Sequence, residues 1–138
     1  MTHQDEFVVE TRGRGTQDIT PEVARIVRTA GVRCGLAHVF VLHTSASLLL
    51  TENADPDVRR DLETLARRWA PDGDSDYRHR DEGADDMAAH ARSALTGSAL
   101  SLPIRDGALR LGTWQGLYLW EHRGTPHRRR LVVTVLGD

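Results

Sequence analysis

The sequence predicts an α+β fold: a single domain over residues 1–138, mostly antiparallel strand, with about three helices. Three observations lead there. Apolar segments of strand length outnumber those of helical length. Several are separated by turn residues rather than helices, Arg105-Asp106-Gly107 being the sharpest hairpin signal. Helical periodicity appears in only three stretches.

Thr20-Pro21-Glu22 reads as an N-cap, an N1 proline and a first-turn acid; Val23, Ile26, Val27 and Ala30 then share a face before Gly31. Asp55-Pro56-Asp57 opens a second helix with Val58, Leu62, Leu65 and Trp69 on one stripe. A third begins at Asp85 or Asp86, with Met87, His90, Ala91, Ala94 and Leu95 inward and Gly97 as its stop. Strands are expected at Phe7 to Thr11, Leu36 to His43, Leu48 to Glu52, Leu100 to Ile104, Ala108 to Leu111, Leu117 to His122 and Arg129 to Leu136. Pro71 to Gly83 is the one long polar segment, and no repeat or linker divides the chain.

Composition excludes several classes. A net charge of −2 argues against a dedicated nucleic-acid binder. No apolar run approaches the ~20 residues of a membrane span, and the N-terminus lacks a signal-peptide pattern. One cysteine, Cys34, permits no internal disulfide and fits a reducing, cytoplasmic setting. All 18 basic residues are arginine, planar forks suited to phosphate or carboxylate; without lysine there is no Schiff-base chemistry.

The chemistry concentrates around histidines. Strand alternation sends His38, Phe40 and Leu42 one way and Val39, Val41 and His43 the other, with His43 last before the polar turn. His38 is therefore expected to serve packing. His79 lies in the polar segment and His90 on the inner face of the third helix. A hydrogen-bonded core histidine is the plain alternative for each. Imidazoles with nearby carboxylates suit a transition metal such as zinc, although the spacing matches no dedicated zinc signature. Glu82 and Asp86 could orient the rings, whereas Asp85 reads as an ordinary helix N-terminal acid. Thr44, Ser45 and Ser47 offer an anion cradle or simply a hydroxyl-rich turn. Glu121 shares a strand face with leucines and so needs a partner or a task, with Arg123 or Arg128 as its ion-pair candidates. Trp114 reads as core or as a wall for a ring.

The stretches "HTSASLLLTENADPDVRRDLE", "YRHRDEGADDMAAHARSALTGSAL", "LPIRDGALRLGTWQGLYLWEHR" and "RRRLVVTVLGD" together resemble the YjbQ-like family over almost the whole chain. The resemblance implies a β-sandwich-like sheet, assembly as a homotrimer and a secondary thiamine-phosphate synthase activity. His43 occupies its H-T-[ST] segment, Glu52 and Asn53 its N-E-N-type segment, His79 its Y-x-H, and Glu82, Asp86 and His90 its E-G-x-x-D-x-x-x-H run. Glu121 follows the G-T-W-Q strand. Arg92 stands where the family commonly has lysine, and His122 is left outside the metal-contacting set.

The resulting expectation is a metal or anion held by His43, His79 and His90. Asp86, Glu52 and Glu121 act as acid/base or orienting groups, and Thr44, Ser45, Ser47, Asn53, Thr113, Gln115 and Arg123 contact substrate. The substrate is a small, phosphorylated molecule. A divalent ion, zinc or magnesium, is the only cofactor expected; no organic cofactor, nucleic acid or membrane partner is. Three functions stay open: a thiamine-phosphate synthase-like transferase, a non-catalytic trimeric binder of metal or phosphometabolite, and a metal-dependent hydrolase.

Overall fold

Every strand pairing is antiparallel in the computed structural model, which describes residues 1–138. Five strands form one sheet in the order β1-β8-β3-β5-β6: β1 is Thr2–Glu10, β8 Arg128–Gly137, β3 Cys34–Val41, β5 Ala99–Arg105 and β6 Ala108–Leu109. Three form the other, in the order β2-β7-β4: β2 is Gly15–Asp18, β7 Gln115–Glu121 and β4 Ala46–Glu52. Alternation decides what lies between the sheets. Ala37, Val39 and Val41 of β3 join Leu131, Val133 and Val135 of β8 against Leu48, Leu117 and Leu119 of the smaller sheet. The predicted α+β, sandwich-like architecture is what the chain forms.

Helix α1 (Thr20–Ala30) buries the expected face, Val23, Ile26, Val27 and Ala30, in that core. It ends where Gly31 takes a left-handed φ of 71°, a conformation a side chain would resist. Thr20 is not its N-cap: Ile19 holds that position, and the Thr20 hydroxyl instead accepts from the Leu117 amide at 2.8 Å, tying the helix to β7.

Helices α2 (Pro56–Trp69) and α3 (Asp86–Thr96) cover the outer face of the three-stranded sheet, so β7 is buried on both sides. Both differ from their predicted packing. On α2 only Ala66 is fully buried, while Leu65 and Trp69 are exposed. On α3 the inward residues are Asp86, Ala88, Ala89 and Arg92; Ala94 and Leu95 face solvent. The rotation of α3 has a physical cause: the Arg92 side chain is buried against Glu63 of α2, an ion pair that apolar periodicity does not register.

Other elements shift by a few residues. β1 begins at Thr2 rather than Phe7, because its polar first half pairs in register with β8. β2 carries no apolar residue and gave no sequence signal. β3 stops at Val41, so His43 lies beyond it on the connection to β4. His38 is exposed on the outer face, meeting Ser101 at 3.1 Å, and is not a packing residue. No helix is long and apolar enough to cross a membrane.

Candidate functional site

The connection from β3 to β4 and the start of α3 meet at one end of the sandwich. His90, one turn into α3, points its Nδ1 at the Thr44 carbonyl, 3.2 Å away. A carbonyl oxygen only accepts, so Nδ1 carries a hydrogen and Nε2 is the nitrogen the ring turns outward. Nε2 lies at hydrogen-bond distance, 3.1 Å, from Asp86 Oδ2, four residues earlier on the same helix face. His79, from the polar loop, directs its Nε2 at the same oxygen from 2.6 Å. The two rings stand 5.3 Å apart. One potential ligand atom from each of His79, Asp86 and His90 lies within 4.8 Å of the others.

Asp86 is held in that pose from behind. Arg123 donates from Nη1 to Asp86 Oδ1 at 2.8 Å, from Nε to Asp85 Oδ2 at 3.1 Å and from Nη2 to the Glu82 carbonyl at 2.9 Å. Asp85 also accepts from the Gly124 amide at 2.8 Å. Asp85 is therefore the anchor of Arg123 rather than a plain helix-terminal acid, and Arg123 positions Asp86 instead of offering a free fork to substrate. Burial pushes the Asp86 carboxyl up, but the His79 hydrogen bond and the Arg123 charge outweigh it and hold it below the usual carboxylate range. His79 is raised by its hydrogen bond to Asp86.

His43 stands apart from this trio. Its Nδ1 accepts from the Ser45 amide at 3.2 Å and lies 3.0 Å from the Ser45 hydroxyl. An amide N–H can only donate, so Nδ1 supplies the lone pair and Nε2 keeps the hydrogen. Burial, then the Arg129 charge, lowers the ring's pKa and favours that neutral form. The set of converging potential ligand atoms is His79, Asp86 and His90, and His43, expected as the third ligand, is not in it; its outward Nε2 is a donor in this arrangement.

Beneath the connection lies a buried polar layer that removes several expected site residues. Glu121 faces the core and accepts from Arg129 Nε at 2.8 Å, from Arg129 Nη2, from Thr11 Oγ1 at 2.7 Å and from the Arg123 amide at 3.1 Å. Arg129, not Arg123 or Arg128, is its ion partner, joining β7 to β8 across the sandwich. Burial raises the Glu121 pKa, yet those donors bring it below normal, so it stays ionised with its oxygens occupied. It is a clasp, not an acid/base group. Ser45 is buried and bonded to Arg129 Nη2 at 2.9 Å. Ser47 is buried between His122 Nε2 at 2.7 Å and the Thr96 hydroxyl at 2.6 Å. Neither serine is free to cradle an anion; Thr44 alone of the three is exposed.

The remaining expected residues sit at the other end. From Ala46 to Glu52, β4 spans roughly 20 Å. Glu52 Oε2 accepts the Asp55 amide at 2.9 Å, ahead of α2. Asn53 donates to the Thr113 and Gln115 carbonyls, each at 3.4 Å, and Gln115 Oε1 accepts from Gly112 at 2.8 Å. Glu52, Asn53, Thr113 and Gln115 therefore tie loops together away from the histidines, and Trp114 beside them is exposed. Sequence reasoning missed Arg129, Thr11 and Glu63; an arginine alternating inward on β8 was the one available signal.

Comparison with known proteins adds a consistent picture. Residues 5–138 match the family model described as UPF0047 protein YjbQ-like. A UPF0047 protein of Synechocystis is 48% identical, the match covering 99% of this chain and 92% of that protein. The UPF0047 protein YjbQ of Escherichia coli is 40% identical with full coverage of both. Among solved structures, a YjbQ/UPF0047 protein of Clostridium acetobutylicum superposes with a TM-score of 0.88 at 38% identity, covering 96% of this chain and 99% of that one. A YbjQ-like protein of unknown function from Sulfolobus solfataricus superposes with a TM-score of 0.90 at 28% identity, covering 100% and 99%.

Proposed function

The chain belongs to the YjbQ-like UPF0047 family, and from that premise we propose that it is a small-metabolite enzyme whose centre is a divalent metal held by His79, Asp86 and His90. One observation carries the reading. With its Nδ1 hydrogen committed to Thr44, the His90 ring presents Nε2 to the Asp86 carboxylate oxygen that His79 Nε2 also approaches, so two ring nitrogens and one carboxylate oxygen converge where a cation can take the place of the bridging protons. Two imidazoles and a carboxylate fit a transition metal such as zinc and leave coordination positions open. Magnesium, which prefers oxygen ligands, fits this donor set less well.

When bound, the metal supplies a Lewis acid able to polarise a phosphoryl or carbonyl oxygen. Asp86 is fixed for that task by Arg123, and His90 by the Thr44 carbonyl, the second contacts that orient metal ligands. His43 offers an Nε2 hydrogen-bond donor to a substrate oxygen. A cleft of about 370 Å³ opens on His79 and is lined also by Tyr77, Arg80 and Ser75, a size suited to a small substrate. The substrate class is phosphorylated. Thiamine-phosphate formation, in which a pyrimidine diphosphate joins a thiazole phosphate, is the first reaction to try. The proposal includes a cytoplasmic setting, which fits a lone exposed thiol at Cys34. It also includes assembly as a homotrimer.

Zinc titration by calorimetry tests the centre. Wild type should bind one zinc per chain, and Asp86→Asn and His90→Ala should each lose it with an unchanged circular dichroism spectrum. His43→Ala should retain it. Zinc binding in Asp86→Asn equal to wild type would sink the proposal. Metal retention without turnover of the two thiamine precursors would instead favour the binding-protein reading or another reaction.

A further inference from the structure

A second concave site lies on the far side of β7's buried tryptophan, between α2 and the edge strand β2. The α2 residues lining it are Pro56, Arg59, Arg60, Glu63, Thr64 and Arg67, the i, i+3, i+4, i+7, i+8, i+11 positions of one helix face. A face turned toward the body of a protein is ordinarily apolar. Here it carries three arginines and, beyond Pro56 at its first turn, no apolar side chain, in a chain whose net charge is −2. Arg14 and Thr16 close the opposite wall and Trp120 forms the floor of a cleft of about 450 Å³.

Which of these charges are already spent decides what the cleft can hold. Arg14 makes two 2.6 Å bonds to Asp72, and Arg60 pairs with Asp57 at 2.7 Å. Glu63, the one acid in the lining, is neutralised from behind by the buried Arg92 at 2.7 Å, and its second oxygen accepts from Trp120 Nε1 at 3.2 Å. Arg59 and Arg67 have no such partner. Arg59 donates to the Glu52 carbonyl at 3.0 Å and rests 4.6 Å over the Tyr118 ring, while Arg67 reaches only the Thr64 hydroxyl at 3.3 Å. Two uncompensated guanidinium forks thus share one helix face, across the cleft from the Thr16 hydroxyl, while Thr64 gives its hydrogen to the Arg60 carbonyl at 3.2 Å.

We infer that this cleft is an anion site for a small molecule bearing a diphosphate or several phosphates, with Arg59 and Arg67 as its charge-assisted donors and the Thr16 hydroxyl as a neutral one. Planar forks donate in pairs to phosphate oxygens, and two of them two turns apart favour a ligand with more than one charge. The site is independent of the metal centre, sharing none of its residues. Arg59 is preset by the Tyr118 ring, which reduces the ordering cost of binding.

Calorimetric titration with inorganic pyrophosphate, at fixed ionic strength and with chelator present to keep the metal centre out of the reading, tests this. Wild type should show saturable one-to-one binding. Arg67→Gln, a change at an exposed position, should weaken it about fivefold, and the Arg59→Gln/Arg67→Gln pair should abolish it. Arg105→Gln, which removes the same charge from the β5–β6 hairpin, should leave the dissociation constant unchanged. Absence of saturable heat with wild type overturns the inference. So does equal weakening by Arg105→Gln and Arg67→Gln, which would reduce the effect to net charge. Should the double variant unfold, Arg67→Gln against Arg105→Gln still decides.

Discussion

At the scale of single residues, the buried polar layer determines how the protein responds to acid. His122 is fully buried, and burial, followed by the charges of Arg92, Arg14 and Arg129, lowers its pKa to about 3. An unfolded histidine titrates near 6.5. Between those values the unfolded chain holds the extra proton, so stability falls as pH drops through this window, by roughly 1.4 kcal/mol per pH unit. Glu121 acts in the same direction lower down: its folded pKa is depressed, so its contribution is present above the ordinary glutamate pKa and lost as pH falls through the folded one. Urea midpoints measured from pH 7 to pH 4 should decline steeply for wild type and less for His122→Gln, whose amide can still reach Ser47. Equal slopes would show that His122 does not carry the effect. The same layer explains why the site was only partly legible. His79 and His90 could be read as neighbours from a loop and a helix face, but the same reading grouped His43 with them and took Asp86 for an acid/base or orienting group, because the shared oxygen of Asp86 is a matter of tertiary geometry. Ser45, Ser47 and Glu121 were misassigned because their partners come from β8, α3 and Thr11 just past β1, contacts set by strand pairing and helix packing that no local pattern encodes.

Elements with their own signals at both ends were the most legible. Asp55-Pro56-Asp57 starts α2 as read, the Asp55 carboxylate accepting from the Asp57 amide at 2.9 Å. The β5–β6 hairpin turns at Asp106 and Gly107, both at positive φ (54° and 81°), the geometry of a two-residue primed turn. Which way α2 and α3 roll was illegible, because buried ion pairs rather than apolar stripes set their inner faces. Asp55→Ala should therefore cost about 1 kcal/mol of stability through the lost cap, seen as a lower urea midpoint. Its zinc affinity should match wild type, because α2 begins at the far end of β4 from the histidines. Glu52→Gln should likewise leave zinc binding intact. A loss of zinc in either variant would mean that the two ends of the smaller sheet communicate, against the separation described above.

At the scale of the whole molecule, the two sheets differ in how they are covered. The three-stranded sheet has α2 and α3 over its outer face; the five-stranded sheet has nothing. On that bare face Val8, Leu36, Phe40, Leu42 and Leu136 are all between 39% and 48% exposed, and Leu36 and Leu136 are cross-strand partners. Ion pairs of Glu6 with Arg130 and of Glu10 with Arg128 flank the row, at 3.5 and 3.6 Å. An apolar face rimmed by charge, here crossed by the single polar rung of His38 and Thr134, marks an interface, and an exposed edge-bearing sheet gives a further motive for covering it. The proposed occupant is the same face of neighbouring copies, in the trimer that the family resemblance led us to expect. Light scattering after size exclusion should then give three times the 15.4 kDa chain mass. Phe40→Glu, which puts a carboxylate in the middle of the row, should give the single-chain mass with secondary structure unchanged, because Phe40 points away from the sandwich core. A single-chain mass for wild type at micromolar concentration would remove the trimer. A trimer that survives both Phe40→Glu and Leu136→Glu would move the interface to another face of the molecule.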